Sequence, residues 1–261
     1  MTAENGIQVI LDALGLPPEA RVDARVPKKL LVEQGAPAQA DKRAIQEGID
    51  ELHWLAVCKP TTIGVPAFVD DAREYLEIAV VSCALRPGAK AKRLIELIHR
   101  AIPYPVLLIN SDVDGVNVSV AHKRNAQNEA GKIIIESVVL VAGLNRDETN
   151  SLECEFTRSI ALAKQQRRDL FTLYSGWMAR IEALNAARLS GSFAVVDEPT
   201  SIERRREALK KHLRLTSEAK VLRALAKSEK RMNRKVDLNI EIQRIESQID
   251  LTLKDMNFEY S

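Results

Sequence analysis

The chain has 261 residues, of which 46% are hydrophobic and 28% are charged, and its formal net charge is +2. A chain of this length usually forms one or two domains with a sizeable core. Aromatic residues make up only 4% of the sequence, so the core must consist mainly of Leu, Ile, Val and Ala. The net charge is too small to indicate nucleic-acid binding by itself, so the distribution of charge along the chain is more informative.

The cysteines and the apolar runs indicate a cellular compartment. Cys58, Cys83 and Cys154 are odd in number and far apart, which is typical of reduced, buried thiols in a cytosolic protein. The N-terminal residues lack the basic region of a signal peptide. The apolar run 133–144 is interrupted by polar residues and is shorter than the roughly 18 apolar residues that a spanning helix needs. We therefore expect a cytoplasmic protein with no membrane role.

The N-terminal part of the chain predicts two helices and a short strand. Apolar residues at helical spacing predict a helix over 3–15. The segment 17–38 has no regular pattern and is expected to be irregular. A second helix is predicted to begin with Asp41 as its N-cap and to extend to Leu52. Residues 54–58 form a short candidate strand.

The middle of the chain predicts a small sheet. The predicted elements are strands over 75–85, 106–110, 116–120 and 132–141, and a helix over 90–101. The dipeptide Asp114-Gly115 between two apolar runs predicts a tight hairpin. Val116, Val118 and Val120 alternate with polar residues, which predicts one buried and one solvated face. The order strand, helix, strand, strand, strand predicts a mixed sheet with helices on one face.

The rest of the chain is predicted to be nearly all helical. The predicted helices cover 156–173, 177–189, 201–228 and 233–256, with an interruption at Gly176 and a linker near 190–199. The segment 236–242 also alternates like a strand, and a short coiled coil over 233–256 stays open as an alternative. We therefore predict an α+β fold, with a small mixed-sheet domain in residues 1–148 and a helical region in residues 149–261.

The sequence contains one candidate catalytic site and no established catalytic motif. No phosphate-binding glycine loop occurs, and the four histidines lack the spacing of metal ligands, so we expect no cofactor and no metal. Asp112 and Asp114, together with Glu77 and Lys123, could instead form a divergent metal-dependent nuclease site. Against this, Asp-x-Asp-Gly suits the backbone of a turn. Lys123 would also lie about 25 Å from that turn along the strand.

The charge distribution singles out residues 201–235, which contain thirteen Lys or Arg and four Glu. The cations are Arg204, Arg205, Arg206, Lys210, Lys211, Arg214, Lys220, Arg223, Lys227, Lys230, Arg231, Arg234 and Lys235, and all but Arg214, Lys220 and Arg223 are the candidate contacts. Such a stretch can neutralise phosphates, face an acidic protein or form a solvated helix face. The lack of aromatic residues argues against stacking on single strands. Reversal of Arg204, Arg205 and Arg206 to Glu is expected to leave the fold intact.

Six short segments carry a resemblance to a known family. They are Val26-Pro27-Lys28-Lys29, Lys59-Pro60-x-Thr62-Ile63, Tyr75-Leu76-Glu77-Ile78, Ala101-Ile102-Pro103-Tyr104-Pro105, Ala121-His122-Lys123-Arg124 and Leu173-Tyr174-x-x-Trp177. With these segments the chain resembles a bacterial family described as a domain of unknown function, numbered 4391. The resemblance implies genes that lie beside those of helicases and DNA methyltransferases in anti-phage defence islands.

Together these observations lead to one expected function and one alternative. We expect a non-enzymatic accessory or scaffold subunit of a bacterial DNA-directed anti-phage defence or restriction-like complex. Its expected partner is a helicase or a DNA methyltransferase, with DNA as a further contact of the basic helices. The alternative is the divergent metal-dependent nuclease.

Overall fold

The computed structural model describes residues 3–35, 37–113, 115–126, 133–144 and 151–256. In chain order the helices and strands are α1 (Ala3–Ala13), β1 (Arg21–Arg25), α2 (Lys28–Gly35), α3 (Gln39–Gly48), β2 (Ile49–Cys58), α4 (Pro60–Ile63), β3 (Phe68–Val69), β4 (Glu74–Tyr75), β5 (Ile78–Leu85), α5 (Ala91–Ala101), β6 (Val106–Asp112), β7 (Gly115–Asn125), β8 (Ile133–Leu144), α6 (Ser151–Ser159), α7 (Leu170–Ser190), α8 (Pro199–Ser228) and α9 (Met232–Met256). Within these ranges, no helix combines the length and apolar character needed to cross a bilayer.

Six strands form a mixed sheet in the order β1-β2-β5-β6-β7-β8. The pair β5–β6 is parallel and is joined by α5, whereas the other neighbouring pairs in this sheet are antiparallel. A crossover helix makes its flanking strands parallel, and tight hairpins make theirs antiparallel. The predicted α+β class, with a mixed sheet followed by long helices, is confirmed.

Helices cover both faces of the sheet, so the expectation of helices on one face is wrong. On one face, the His99 side chain of α5 lies 3.0 Å from Ser119 Oγ of β7. On the other face, Gly6 of α1 lies so close to β7 that an added Cβ would overlap the Val116 side chain. Side chains alternate between the two faces along a strand. Val116 and Ser119 are three positions apart, so they point to opposite faces, and α1 and α5 lie on opposite sides of β7.

The strand β7 is buried on both of its faces. Val116, Val118 and Val120 are buried, as the sequence predicts, but Asn117 and Ser119 between them are buried too. The predicted solvated face is therefore wrong. The polar residues remain stable there because they form hydrogen bonds, such as that from Asn117 Nδ2 to Asp112 Oδ2 at 2.9 Å.

The N-terminal segment is more regular than its sequence suggests. The segment 17–38 contains β1 and α2, and the second helix, α3, ends before Ile49, so Leu52 belongs to a strand. Asp41 does not cap α3; its carboxylate binds the Arg93 guanidinium at 2.8 Å. Strand β1 is mostly exposed, so it shows no apolar alternation from which to predict it.

The helical break in the second half falls at residues 160–169 instead of at Gly176. Helix α6 ends at Ser159, and α7 runs without interruption through Gly176. A Cβ on Gly176 would come within 2.9 Å of Gln165 Oε1. The glycine therefore lets the preceding segment approach the helix closely instead of ending it.

The chain divides into two compact units, Met1–Ile181 and Glu182–Ser261. The boundary falls inside α7. The first unit holds the sheet, with a core in which side chains of α2, α3 and α5 pack against β2, β5 and β6. The second unit holds the end of α7 together with α8 and α9. The predicted domain division between residues 148 and 149 stays a prediction.

Candidate functional site

The predicted contact residues lie on an antiparallel pair of helices, α8 and α9, which we call the basic hairpin (199–256). Three apolar clusters in series hold the second unit together along the hairpin: Ala186, Ala208 and Met256; Leu215, Ala219 and Ile245; and Ala226, Leu238 and Ile242. The segment 236–242 is helical, because Leu238 and Ile242, four residues apart, both face α8. The third cluster lies next to the turn between the helices, and the first lies at the opposite end.

At the end far from the turn, the basic hairpin buries Arg205 and leaves Arg206 partly exposed. Arg206 binds the carboxylate of Glu182 at 2.7 and 3.2 Å and Glu203 at 2.8 Å. Burial raises the pKa of Glu182, and the hydrogen bonds and charge of Arg206 oppose that rise. Arg205 is only 2% exposed. The exposed helix face on which the reversal of Arg204, Arg205 and Arg206 depends is therefore wrong for Arg205, and Arg206 is only partly exposed.

Two further cations at this end form exposed ion pairs. Arg204 lies 3.0 Å from Asp255 of α9, and Lys210 lies 2.8 Å from Glu207 of its own helix. Such exposed pairs contribute little to stability, but they neutralise the charge locally. Part of the counter-charge for the basic stretch thus comes from acidic residues of α7, α8 and α9.

Near the turn between α8 and α9, cations outnumber acidic residues, and we call this region (220–235) the basic tip. Its cations are Lys220, Arg223, Lys227, Lys230, Arg231, Arg234 and Lys235. Glu246 binds Arg223 at 2.6 Å, and Glu229 lies 3.6 Å from Arg231. Over 220–235 seven cations face one acidic residue, a local excess of six.

Five cations of the basic tip, Lys220, Lys227, Lys230, Arg234 and Lys235, are exposed and form no ion pair with any residue that the structure describes. Lys211, nearer to the other end, is likewise exposed and has no ion pair in the described chain. The basic tip thus keeps Lys227, Lys230, Arg234 and Lys235 of the predicted contacts and adds Lys220. Five solvated cations on about 16 residues can neutralise phosphates or acidic side chains.

The burial of Arg205 could have been predicted from the sequence. Arg205, Ala208, His212, Leu215 and Ala219 recur at helical spacing and are all buried. This pattern places Arg205 on the apolar stripe of α8. The pairing of Arg206 with Glu182 carries no such local signal, because the two residues are 24 positions apart.

Among the described members of the alternative nuclease site, Asp112 lies at the opposite end of the sheet from Lys123 and Glu77. Asp112 ends β6 opposite Gly115, the first residue of β7, while Lys123 lies near the far end of β7. Glu77 precedes β5 and lies 3.1 Å from Lys59. Asp114 falls outside the described residues. Among the residues described, no group of three or more His, Cys, Asp or Glu is placed to hold a metal.

Lys123 is buried and donates hydrogen bonds to the main-chain oxygens of Ile102 and Tyr104. Burial lowers the pKa of Lys123 to about 7. Through these hydrogen bonds, Lys123 Nζ joins the end of β7 to the loop between α5 and β6. Lys123, a candidate catalytic residue in the sequence, thus has a structural role here.

Other side chains of the segments that carry the family resemblance also join distant elements. Tyr75 Oη lies 2.6 Å from His122 Nδ1. Tyr174 Oη donates to Val106 O at 2.7 Å and accepts from Ala121 N at 2.8 Å. Buried polar groups need such partners, so the first contact joins β4 to β7 and Tyr174 joins α7 to the sheet.

These observations define the class: an α+β protein with a mixed six-stranded sheet and a basic helical hairpin. The model of the family described as a domain of unknown function (DUF4391) matches residues 14–249. The chain therefore belongs to this family. No curated protein and no solved structure matches it.

Proposed function

We propose that the protein is a non-enzymatic accessory subunit of a bacterial DNA-directed anti-phage defence or restriction-like complex, and that its basic tip contacts DNA. The observation that carries the proposal is the set of five exposed cations at the tip that form no ion pair with a described residue. The proposed partner is a helicase or a DNA methyltransferase, because the family resemblance implies neighbouring genes for such enzymes. The partner would supply the catalysis.

The chemistry of the tip favours the DNA backbone over the bases of a single strand. Residues 199–256 contain no aromatic side chain, so the hairpin offers no platform on which bases can stack. Lysines and arginines without fixed partners bind phosphates with little dependence on sequence. Each neutralised phosphate releases counterions, so affinity should fall steeply as salt increases.

The test compares two double charge reversals on the same hairpin. Lys227→Glu with Arg234→Glu changes the tip, and Lys211→Glu with Lys254→Glu changes equally exposed cations near the other end. Binding to duplex DNA is measured by fluorescence anisotropy at low and moderate salt. We expect the tip variant to lose about tenfold or more in affinity, and its log–log salt slope to decrease by about 2. The control should stay within about threefold of wild type.

Equal affinity of both variants and the wild type would refute the DNA contact. If the tip variant instead loses a protein in co-purification from the native operon while its DNA affinity is unchanged, the tip binds an acidic protein surface. If neither a helicase nor a methyltransferase co-purifies with the wild type, the accessory role in such a complex is wrong.

A further inference from the structure

The two edges of the six-stranded sheet differ in how well they are protected against pairing. Strand β1 has five residues, three of them charged. Its register with β2 is irregular between Arg21 and Ala24, and Asp23 has a left-handed backbone, with φ of 49°. Short length, charge and irregularity are the features by which proteins keep edge strands from pairing.

Strand β8, at the opposite edge, is long and carries little charge, although its register with β7 shifts between Val116 and Val118 and between Ala121 and Lys123. It has twelve residues, with the sequence IIIESVVLVAGL. It contains one charged residue, Glu136, and no proline. Among the described residues no strand pairs with its outer edge. A strand of this length is about 40 Å long, and an antiparallel partner would form about ten main-chain hydrogen bonds with it.

A groove of about 580 Å³ lies beside β8, between this strand and α5. Its apolar surface includes Ile95, Ile135 and Val138, and its charged residues are Lys92, Glu96, Arg100, Asp112 and Glu136. Lys92, Glu96 and Arg100 are spaced four residues apart, so they form a row of alternating charge on one face of α5. The groove therefore offers apolar surface together with charges of both signs.

We propose that β8 and this groove form the interface with a second copy of the chain, in which the two β8 strands pair antiparallel about a two-fold axis. A two-fold interface brings the same surface together twice, so that surface must complement itself. Arg100 and Asp112 lie at opposite ends of the groove. In the antiparallel arrangement, the Arg100 end of one copy therefore lies beside the Asp112 end of the other copy. Opposite charges thus meet at both ends of the interface.

The charge on β8 also permits this self-pairing. An axis at Val138, which then lies opposite Val138 of the other copy, places each Glu136 opposite Leu140, an apolar residue. Glu136 already lies 2.7 Å from Arg73 of its own chain, so its charge is compensated within each copy. Specific interfaces bury more than roughly 1,000 Å² in total, so the proposed dimer needs the closure of the two grooves in addition to the pairing of the strands.

The inference goes beyond the proposed function and does not depend on it. A dimer carries two basic tips, so two weak contacts on one DNA molecule would reinforce each other through effective concentration. DNA binding by a monomer would leave the proposed function standing and overturn only the dimer.

The test measures the mass of the full chain by light scattering and sedimentation at micromolar concentration. The chain has a mass of 29.1 kDa, and we expect the wild type to have twice this mass. Val139→Lys places a charge on the β8 edge, and Val22→Lys, at a residue 49% exposed on β1, is the matched control at the other edge. Val139→Lys should raise the dissociation constant of the dimer at least tenfold, and Val22→Lys should leave it unchanged.

Circular dichroism and thermal melting establish that each variant is folded. If Val139→Lys does not fold, Ala91→Arg fills the groove from the α5 side without altering β8, and the same loss of dimer is expected. A wild type that stays monomeric overturns the proposal. So does a folded β8 or groove variant that dimerises as strongly as the wild type.

Discussion

Replacement of Arg206 by methionine tests how the second unit is held together. Glu182 is 4% exposed, and Arg206→Met leaves its carboxylate without the cation that binds it at 2.7 and 3.2 Å. Removal of one partner from a fully buried ion pair costs about 3–5 kcal/mol. Because the Arg206 side chain is 31% exposed, water enters part of the site, and we expect about 2–3 kcal/mol.

The expected loss is measured by thermal unfolding, followed by helical circular dichroism. For a unit of about 80 residues, 2–3 kcal/mol lowers the melting temperature by about 10–20 °C. Lys211→Met, at an exposed cation with no described ion pair, is the control and should change stability by less than about 0.5 kcal/mol. Adding Glu182→Leu to Arg206→Met should restore most of the loss, because the buried charge is then gone. Equal melting temperatures for Arg206→Met and Lys211→Met would refute the reasoning.

Three further predictions concern the first unit. Tyr174→Phe removes hydrogen bonds to buried main-chain groups and should cost about 1–3 kcal/mol in urea unfolding; a smaller change would mean that water replaces the hydroxyl. Burial lowers the pKa of His99 to about 3, below its ordinary 6.5, so the unfolded chain binds the extra proton first and stability should fall as pH decreases below 6.5. His99→Gln should remove that slope, and an unchanged slope would assign it to other groups. Burial also raises the pKa of Cys58 and Cys83 to about 12, so a thiol reagent should modify the half-buried Cys154 in the folded protein and all three cysteines in denaturant; rapid modification of three thiols without denaturant would contradict their burial.

The parts of the fold that could be predicted are those with local signals. The hairpin between β6 and β7 follows from a tight Asp-Gly turn between apolar runs, and the long helices follow from their apolar spacing. Strand β1 has no such signal, because its residues are mostly exposed and charged. The burial of Ser119 could not be predicted either, since its partner His99 comes from another element.

At the candidate site too, contacts between residues distant in sequence could not be predicted. The count of cations over 201–235 identifies a basic stretch, but it cannot distinguish paired from unpaired charges. Arg204 meets Asp255 across 51 positions of sequence, and Arg206 meets Glu182 across 24. Only the tertiary packing of α7, α8 and α9 separates a neutralised end from a charged tip.

The three small apolar clusters along the basic hairpin have a consequence for its motions. Each cluster is short and includes at least one alanine, so the helices can separate step by step from the turn without opening the whole unit. Backbone amides near Ala226 and Leu238 should therefore exchange with deuterated water faster than those near Ala208. Any ligand that bridges the two helices at the turn would slow this exchange, which makes the exchange rate a direct report of what the tip binds.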